Sequence, residues 1–369
     1  MKLAIVCDDL IQNGGAEKVF LDVLELYPNA VVYSSVISKK WQRKLDSLGV
    51  YYRTSFIQKL PFATKLYRFY SVLYFHVLAF ESFRFDQFDM VLSMSSRYAH
   101  LIFTKPQTKH VCYMHSVGRM FWETSDYFNS EFWKRFLWVI KPFLFFIRQT
   151  DYIAAQRVDS FIANSLVTKN RINKYYHRDS VLLNPSIDTG AFKSKSSIEI
   201  KEYYLVVSRL VSWKRFDIVI EAFKQSKLPL KVIGSGSDLN RLKILSKGCK
   251  NIEFLGHIPD EEKLQMLSEC KALIFPQYED FGITPIECMA SGKPVIAYGS
   301  GGVKETVIPS KTGTFFNEQT KESLLNALNE FDSIQFISHN CFTQALKFDK
   351  KVFKNKLKNL LDDVYLSNN

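Results

Sequence analysis

The chain has 369 residues, of which 47% are hydrophobic, and a formal net charge of +12. That length and apolar content suit two globular domains and exclude a disordered or fibrous chain. Most of the charge, +8, falls within residues 1–190, but no helix-turn-helix, zinc-finger or RNA-recognition pattern accompanies it, so no nucleic-acid partner is expected. Six cysteines (Cys7, Cys112, Cys249, Cys270, Cys288 and Cys341) are scattered without a C-x-x-C pair. They read as reduced thiols of a cytosolic protein, and neither a disulfide frame nor a zinc site is expected.

Residues 2–7 (KLAIVC) form a short apolar run that predicts a buried strand. Met1-Lys2 leads straight into it, so no signal peptide is expected. Gly14-Gly15-Ala16-Glu17-Lys18 follows and opens an amphipathic helix with Val19, Phe20, Val23, Leu24 and Leu26 as apolar positions. A glycine pair at a strand-to-helix turn brings backbone N–H groups close to a phosphate, although a plain tight turn needs glycines too. No third glycine completes a dinucleotide fingerprint.

Residues 51–85 and 121–148 are crowded with aromatics. Lys59, Lys65, Arg68, Lys134, Arg135, Lys141 and Arg148 punctuate them. Neither stretch reaches the roughly 18 uninterrupted apolar residues of a membrane span. Cations beside exposed aromatics suit an anionic membrane surface; long core helices with a solvated basic face would read the same way. Between these stretches, residues 110–115 (HVCYMH) predict a strand that delivers His115 to its carboxyl end, followed by Arg119. A lone histidine is more often structural than functional, but a strand's carboxyl end is where open α/β sheets bind ligands.

Residues 160–165 and 180–184 predict two further short strands, and the polar stretch 185–200 reads as a linker. Domain boundaries are therefore expected at 1–188 and 200–348. A last helix at 349–369 is expected to pack back on the first domain.

Residues 203–210 (YYLVVSRL) predict a strand ending in Arg209, with Lys214 five residues later. Two cations after a strand suit a diphosphate, Arg as a planar fork and Lys as a point charge. Residues 272–298 then read as strand, loop, helix, strand, with Glu279 in the loop and Glu287 near the helix start. Two carboxylates at one crevice suit a ligand with vicinal hydroxyls such as a ribose or hexose. Alone, Glu287 is equally what a capping box supplies, with Thr284 at the N-cap and Pro285 at the first helical position. Alone, Glu279 is equally a solvated loop acid. Phe281-Gly282-Ile283 lies between the acids and offers N–H groups at a helix N-terminus.

The C-terminal half resembles the nucleotide-sugar domain of retaining glycosyltransferases of family 4. The resemblance is carried by SRLVSWKRFD (208–217), VIGSGSDLNRL (232–242), EDFGITPIE (279–287) and MASGKPVIAYGSGGVKETV (289–307), in that order. The N-terminal glycine turn agrees with it, and so does the set Tyr113, His115, Arg119, Phe121 and Trp122, which is similar to a run in O-antigen mannosyltransferases. Ser116-Val117 departs from the Thr-Pro usual after that histidine.

The resemblance implies a GT-B fold: two α/β, Rossmann-like, doubly wound domains facing a central cleft, the first for the acceptor and the second for the nucleotide sugar. It implies that Arg209 and Lys214 bind the donor diphosphate, Glu279 the sugar and Glu287 the ribose. His115 would contact the sugar near its anomeric centre. Gly14, Gly15, Arg119, Gly234, Phe281, Gly282 and Ile283 would line the substrate site, and main chain near Ile258 would meet the base. No Asp-x-Asp stands near a phosphate loop, so a metal-independent reaction without a cofactor is expected. The implied activity is hexosyl transfer from a nucleotide sugar, GDP-mannose first or a UDP-hexose, to a lipid-linked saccharide acceptor in O-antigen-type lipopolysaccharide synthesis. The implied place is the cytoplasmic face of the membrane, as a peripheral protein. A nucleotide-sugar epimerase of the same fold and a non-catalytic carbohydrate-binding protein are the alternatives.

Overall fold

The computed structural model of the chain describes residues 1–72, 74–123, 131–192 and 201–367. Residues 193–200 of the expected linker lie outside that range, as do the side chains of Arg68, Lys134 and Arg135. Two compact units are present. One comprises Met1–Asn184 with Phe353–Asn369, and the other Pro185–Val352.

The first unit is built on a seven-stranded parallel sheet. Its strands are β1 (Leu3–Cys7), β2 (Val31–Ser34), β3 (Tyr52–Thr54), β4 (Met90–Ser95), β5 (Lys109–Met114), β6 (Ser160–Ala163) and β7 (Val181–Leu182). The order is β3-β2-β1-β4-β5-β6-β7. Every residue of β1 and β4 is buried, because helices cover both faces of a parallel sheet and both faces must be apolar. Successive side chains alternate between those faces. Leu3, Ile5 and Cys7 pack with Val19, Phe20, Val23 and Leu24 of the helix Gly15–Leu26. Ala4 and Val6 pack on the opposite side with Phe80, Tyr98 and Phe121. The helix Lys350–Leu366 adds Phe353, Leu357 and Leu361 to the first of these clusters. Their spacing of four residues makes one stripe, and burying each contributes about 1.5–3 kcal/mol.

The second unit holds a six-stranded parallel sheet ordered β10-β9-β8-β11-β12-β13. These are β8 (Tyr204–Val207), β9 (Leu230–Ile233), β10 (Ile252–Gly256), β11 (Ala272–Phe275), β12 (Val295–Tyr298) and β13 (Gly313–Phe316). In both sheets the strand order reverses once, between β1 and β4 in the first and between β8 and β11 in the second. Connections leave those neighbouring strands toward opposite faces, which opens a crevice at their carboxyl ends.

Candidate functional site

The reversal between β8 and β11 brings together residues separated by 65 positions in the chain. β8 runs out into Ser208 and Arg209, and β11 into the loop that carries Glu279. Lys214 ends the short 3-10 helix Ser212–Lys214. Its Nζ donates to Ser208 Oγ (2.8 Å) and pairs with Glu279 Oε1 (2.8 Å). It also lies 5.3 Å from the Trp213 ring centre. Arg209, the residue after Ser208, is exposed. Lysine has three donors and an ionised carboxylate about four acceptor positions, so the pair can grip each other and a ligand together. Gly234 follows β9 under the exit of β8, where a Cβ would come within 1.8 Å of the Ser208 carbonyl oxygen. Gly234 N–H in turn donates to the Gly256 carbonyl (2.7 Å), next to the loop carrying half-buried Ile258. On the other flank, Gly302 N–H donates to the Glu279 carbonyl (2.9 Å) and props up the acid loop.

The expected capping box around Glu287 does not form. The helix Ile283–Ala290 starts earlier, with Gly282 as its N-cap at φ +91° and no side-chain cap. Gly282 can take a backbone turn that L side chains rarely adopt, and this starts the helix two residues sooner. Thr284 and Pro285 then occupy the second and third helical positions and Glu287 the fifth, beyond reach of a cap. Pro285 is tolerated because N–H groups of a first helical turn lack intrahelical acceptors. Glu287 is only 6% exposed, and its Oε1 lies 3.5 Å from Lys263 Nζ. Capping therefore does not account for this buried acid. Phe281 is buried as well, and the Gly282 and Ile283 N–H groups head the helix.

In the first unit, Gly14 is the N-cap of the helix Gly15–Leu26, and its N–H donates to Glu17 Oε2 (2.8 Å). Burial raises the Glu17 pKa against this hydrogen bond. At the reversal between β1 and β4, buried Asp8 accepts N–H bonds from Ser96, Tyr98 and Ala99, each at 2.7 Å. Arg97 forms an ion pair with Asp9 beside it. Asp8 thus clamps the loop after β4 to the end of β1.

His115 follows β5 directly. Its N–H donates to the Ser95 carbonyl (2.8 Å) and its carbonyl accepts from Asn164 Nδ2 (2.8 Å). Its ring stands 5.0 Å from Tyr113. Burial lowers its pKa to about 4, opposed by Asp8, so the ring is neutral at pH 7. Arg119 lies 3.2 Å from Glu123, which Arg171 holds through two bonds of 2.8 and 2.9 Å. Trp122 Nε1 and Tyr176 Oη both donate to the fully buried Asp151 (2.7 and 2.8 Å). His115 and Arg119 are therefore carried by a braced segment. Ser208, Asn164, Glu123 and Lys263 were missed by motif reading. Each acts through a neighbour brought close by the fold, and only Ser208 lay inside a recognisable motif.

The two aromatic stretches of the first unit meet. The helix Ala63–Val72 packs against Glu131–Gln156, and Tyr74 Oη and Thr150 Oγ1 are 2.5 Å apart. Phe62 (70% exposed), Phe69, Phe145 and Phe146 (60% exposed) stand outside the core. No Asp or Glu occurs between Arg53 and Glu81 in the sequence. Among the described residues, no helix is long and apolar enough to cross a membrane.

Two parallel-sheet Rossmann-like units of this kind define a GT-B fold. Comparison with solved structures agrees: HepE of Anabaena in complex with UDP superposes with a TM-score of 0.74 over 98% of this chain and 100% of that one, at 17% identity. Sucrose-phosphate synthase from Thermosynechococcus elongatus gives 0.74 over 99% of both chains at 16% identity. Residues 188–346 match the family model of glycosyl transferases group 1. Among curated proteins, the alpha-1,3/1,6-mannosyltransferase ALG2 of Dictyostelium discoideum is 28% identical over 219 residues, 47% of this chain and 52% of the relative. The O-antigen chain mannosyltransferase C of Escherichia coli is 27% identical over 135 residues, 35% of this chain and 36% of the relative. The chain spans about half the length, or less, of these curated relatives. Taken together, the matches support a glycosyltransferase.

Proposed function

We propose that this protein is a retaining glycosyltransferase of family 4 that moves a hexose from a nucleotide sugar to a lipid-linked saccharide acceptor. The observation that carries the reading is the Lys214–Glu279 pair with Arg209 at the β8/β11 crevice. Cleaving a nucleotide sugar leaves negative charge on the departing diphosphate. Lys214 and Arg209 would stabilise that charge without a metal ion, as preorganised cations do at any developing anion. Backbone N–H groups at Gly282 and Ile283, and at Gly15, would add to it, the Gly14 N–H being already donated to Glu17. Glu279, oriented by Lys214, would accept hydroxyls of the sugar, and Glu287 those of the ribose. Main chain around Gly256–Pro259, the loop that carries Ile258, would meet the base, with Gly234 lining the site beside it. His115, neutral at working pH, would donate or accept a hydrogen bond at the sugar, and Arg119 would complete the substrate contacts. The two-carboxylate scheme of glycosidases is not invoked.

GDP-mannose is the first donor to test, supported by the likeness to mannosyltransferases, with UDP-hexoses next. An O-antigen-type acceptor is supported by the likeness to the Escherichia coli enzyme. The exposed aromatics of the first unit, with the basic stretch between Arg53 and Glu81 that holds no Asp or Glu, support peripheral attachment to an anionic membrane on its cytoplasmic face. The test is a panel of nucleotide sugars with released nucleoside diphosphate measured with and without lipid extract. Lipid-dependent release from one donor is expected. Interconversion of the free nucleotide sugar would indicate an epimerase, and failure to release nucleotide from any donor would sink the reading.

A further inference from the structure

We propose that Lys263 is a positioning residue for the nucleotide ribose: its ammonium orients the buried Glu287 carboxylate for the 2′,3′-diol. The inference rests on the assignment of Glu287 to the ribose and adds the residue that makes this carboxylate usable.

A carboxylate as buried as Glu287 is costly unless a cation compensates it. Lys263 Nζ stands 3.5 Å from Glu287 Oε1, and both side chains are largely enclosed, at 13% and 8% exposure. Lys263 also lies 3.2 Å from Asp260, but that acid is 84% exposed, so water screens the contact. The enclosed pair is therefore the stronger of the two. Lys263 is well placed for the task because it sits in the first turn of the helix Asp260–Glu269, anchored by the buried Met266 and Leu267. Its main-chain N–H donates to the Pro259 carbonyl (3.0 Å). One residue thus ties the Gly256–Pro259 loop, assigned to the base, to the acid assigned to the ribose. At 3.5 Å the ammonium contributes chiefly charge, and a carboxylate has about four acceptor positions in all.

The experiment is calorimetry with GDP and UDP and their 2′,3′-dideoxy counterparts on the full chain. Wild-type protein should bind the better ribonucleotide about 10- to 100-fold more tightly than its dideoxy form, the scale of hydrogen bonds to a charged group. In Lys263→Met that ratio should collapse to within about threefold, with dideoxy affinity little changed, and Lys263→Arg should restore most of it. A general structural role would lower both affinities together and leave the ratio intact. If Lys263→Met does not fold, Lys263→Gln carries the same comparison. A Lys263 variant that keeps the full ratio overturns this inference alone. A wild-type protein without any ratio overturns the ribose assignment of Glu287 and the inference with it.

Discussion

Replacing Lys214 with alanine tests the proposed leaving-group chemistry most directly. The ammonium is held by Ser208 Oγ and Glu279 Oε1, both at 2.8 Å. Its position is therefore set before any ligand binds, as transition-state stabilisation requires. A unit charge about 4 Å from a phosphate oxygen is attracted by about 4 kcal/mol at an effective dielectric near 20. Removing one oxyanion-type donor in enzymes costs about 2.7–4 kcal/mol, or two to three decades in turnover. The two routes agree, so Lys214→Ala should lower turnover about 100- to 1000-fold. Folding stability should hardly change. The Lys214–Glu279 pair is partly open to solvent, and such pairs contribute at most about 1 kcal/mol. The assay is steady-state nucleotide release with the best donor, alongside thermal melting. A fall in turnover below tenfold with an unchanged melting curve would refute the argument. A large fall matched by a collapsed melting curve would refute it too, since the loss would then be structural.

Arg209→Ala should cause a loss of similar size, and EDTA should change little; activity abolished by chelator and restored by Mg²⁺ would contradict the cation clamp. Glu287→Ala should weaken binding of the nucleoside diphosphate, whereas Glu279→Ala should spare that affinity and reduce sugar transfer, and equal losses in calorimetry would count against separate roles. The first unit should lose stability as pH falls. Burial lowers the pKa of His76 to about 4, of His110 to about 3 and of His115 to about 4. Between about pH 6.5 and pH 4 the unfolded chain binds more protons than the folded one, so stability falls through that window by on the order of several kcal/mol in total. Denaturant midpoints that stay flat from pH 7 to pH 4.5 would remove that account. The protein should co-sediment with anionic vesicles at low salt and dissociate at high salt, because attraction between exposed charges is screened beyond about 10 Å at 0.1 M. Charge reversal at Lys59, Lys65 and Arg68 should weaken this while sparing donor affinity, and wild-type protein remaining in the supernatant at low salt would end the membrane reading.

Much of this molecule could be read before folding it. Apolar runs such as residues 2–7 and 272–275 announce parallel strands because both faces of such a sheet are buried, so the pattern is local and continuous. The cations after β8, the acids after β11 and the glycine turn before the first helix are likewise local, since strand ends and helix starts have signatures a few residues long. Tertiary structure decided what depends on distance in the chain. It joined Lys214 to Glu279 across a strand reversal and brought Lys263 to Glu287 from a neighbouring helix. It tied Arg119 to Arg171 through Glu123, and packed a helix of one aromatic stretch against a helix of the other. It also moved a helix start. Thr284-Pro285-Ile286-Glu287 satisfies a capping pattern, yet Gly282 turned the chain sooner and left Glu287 a buried acid with a lysine beside it. Short-range patterns state what a segment can do alone; burial and pairing depend on which segments the sheet order places side by side.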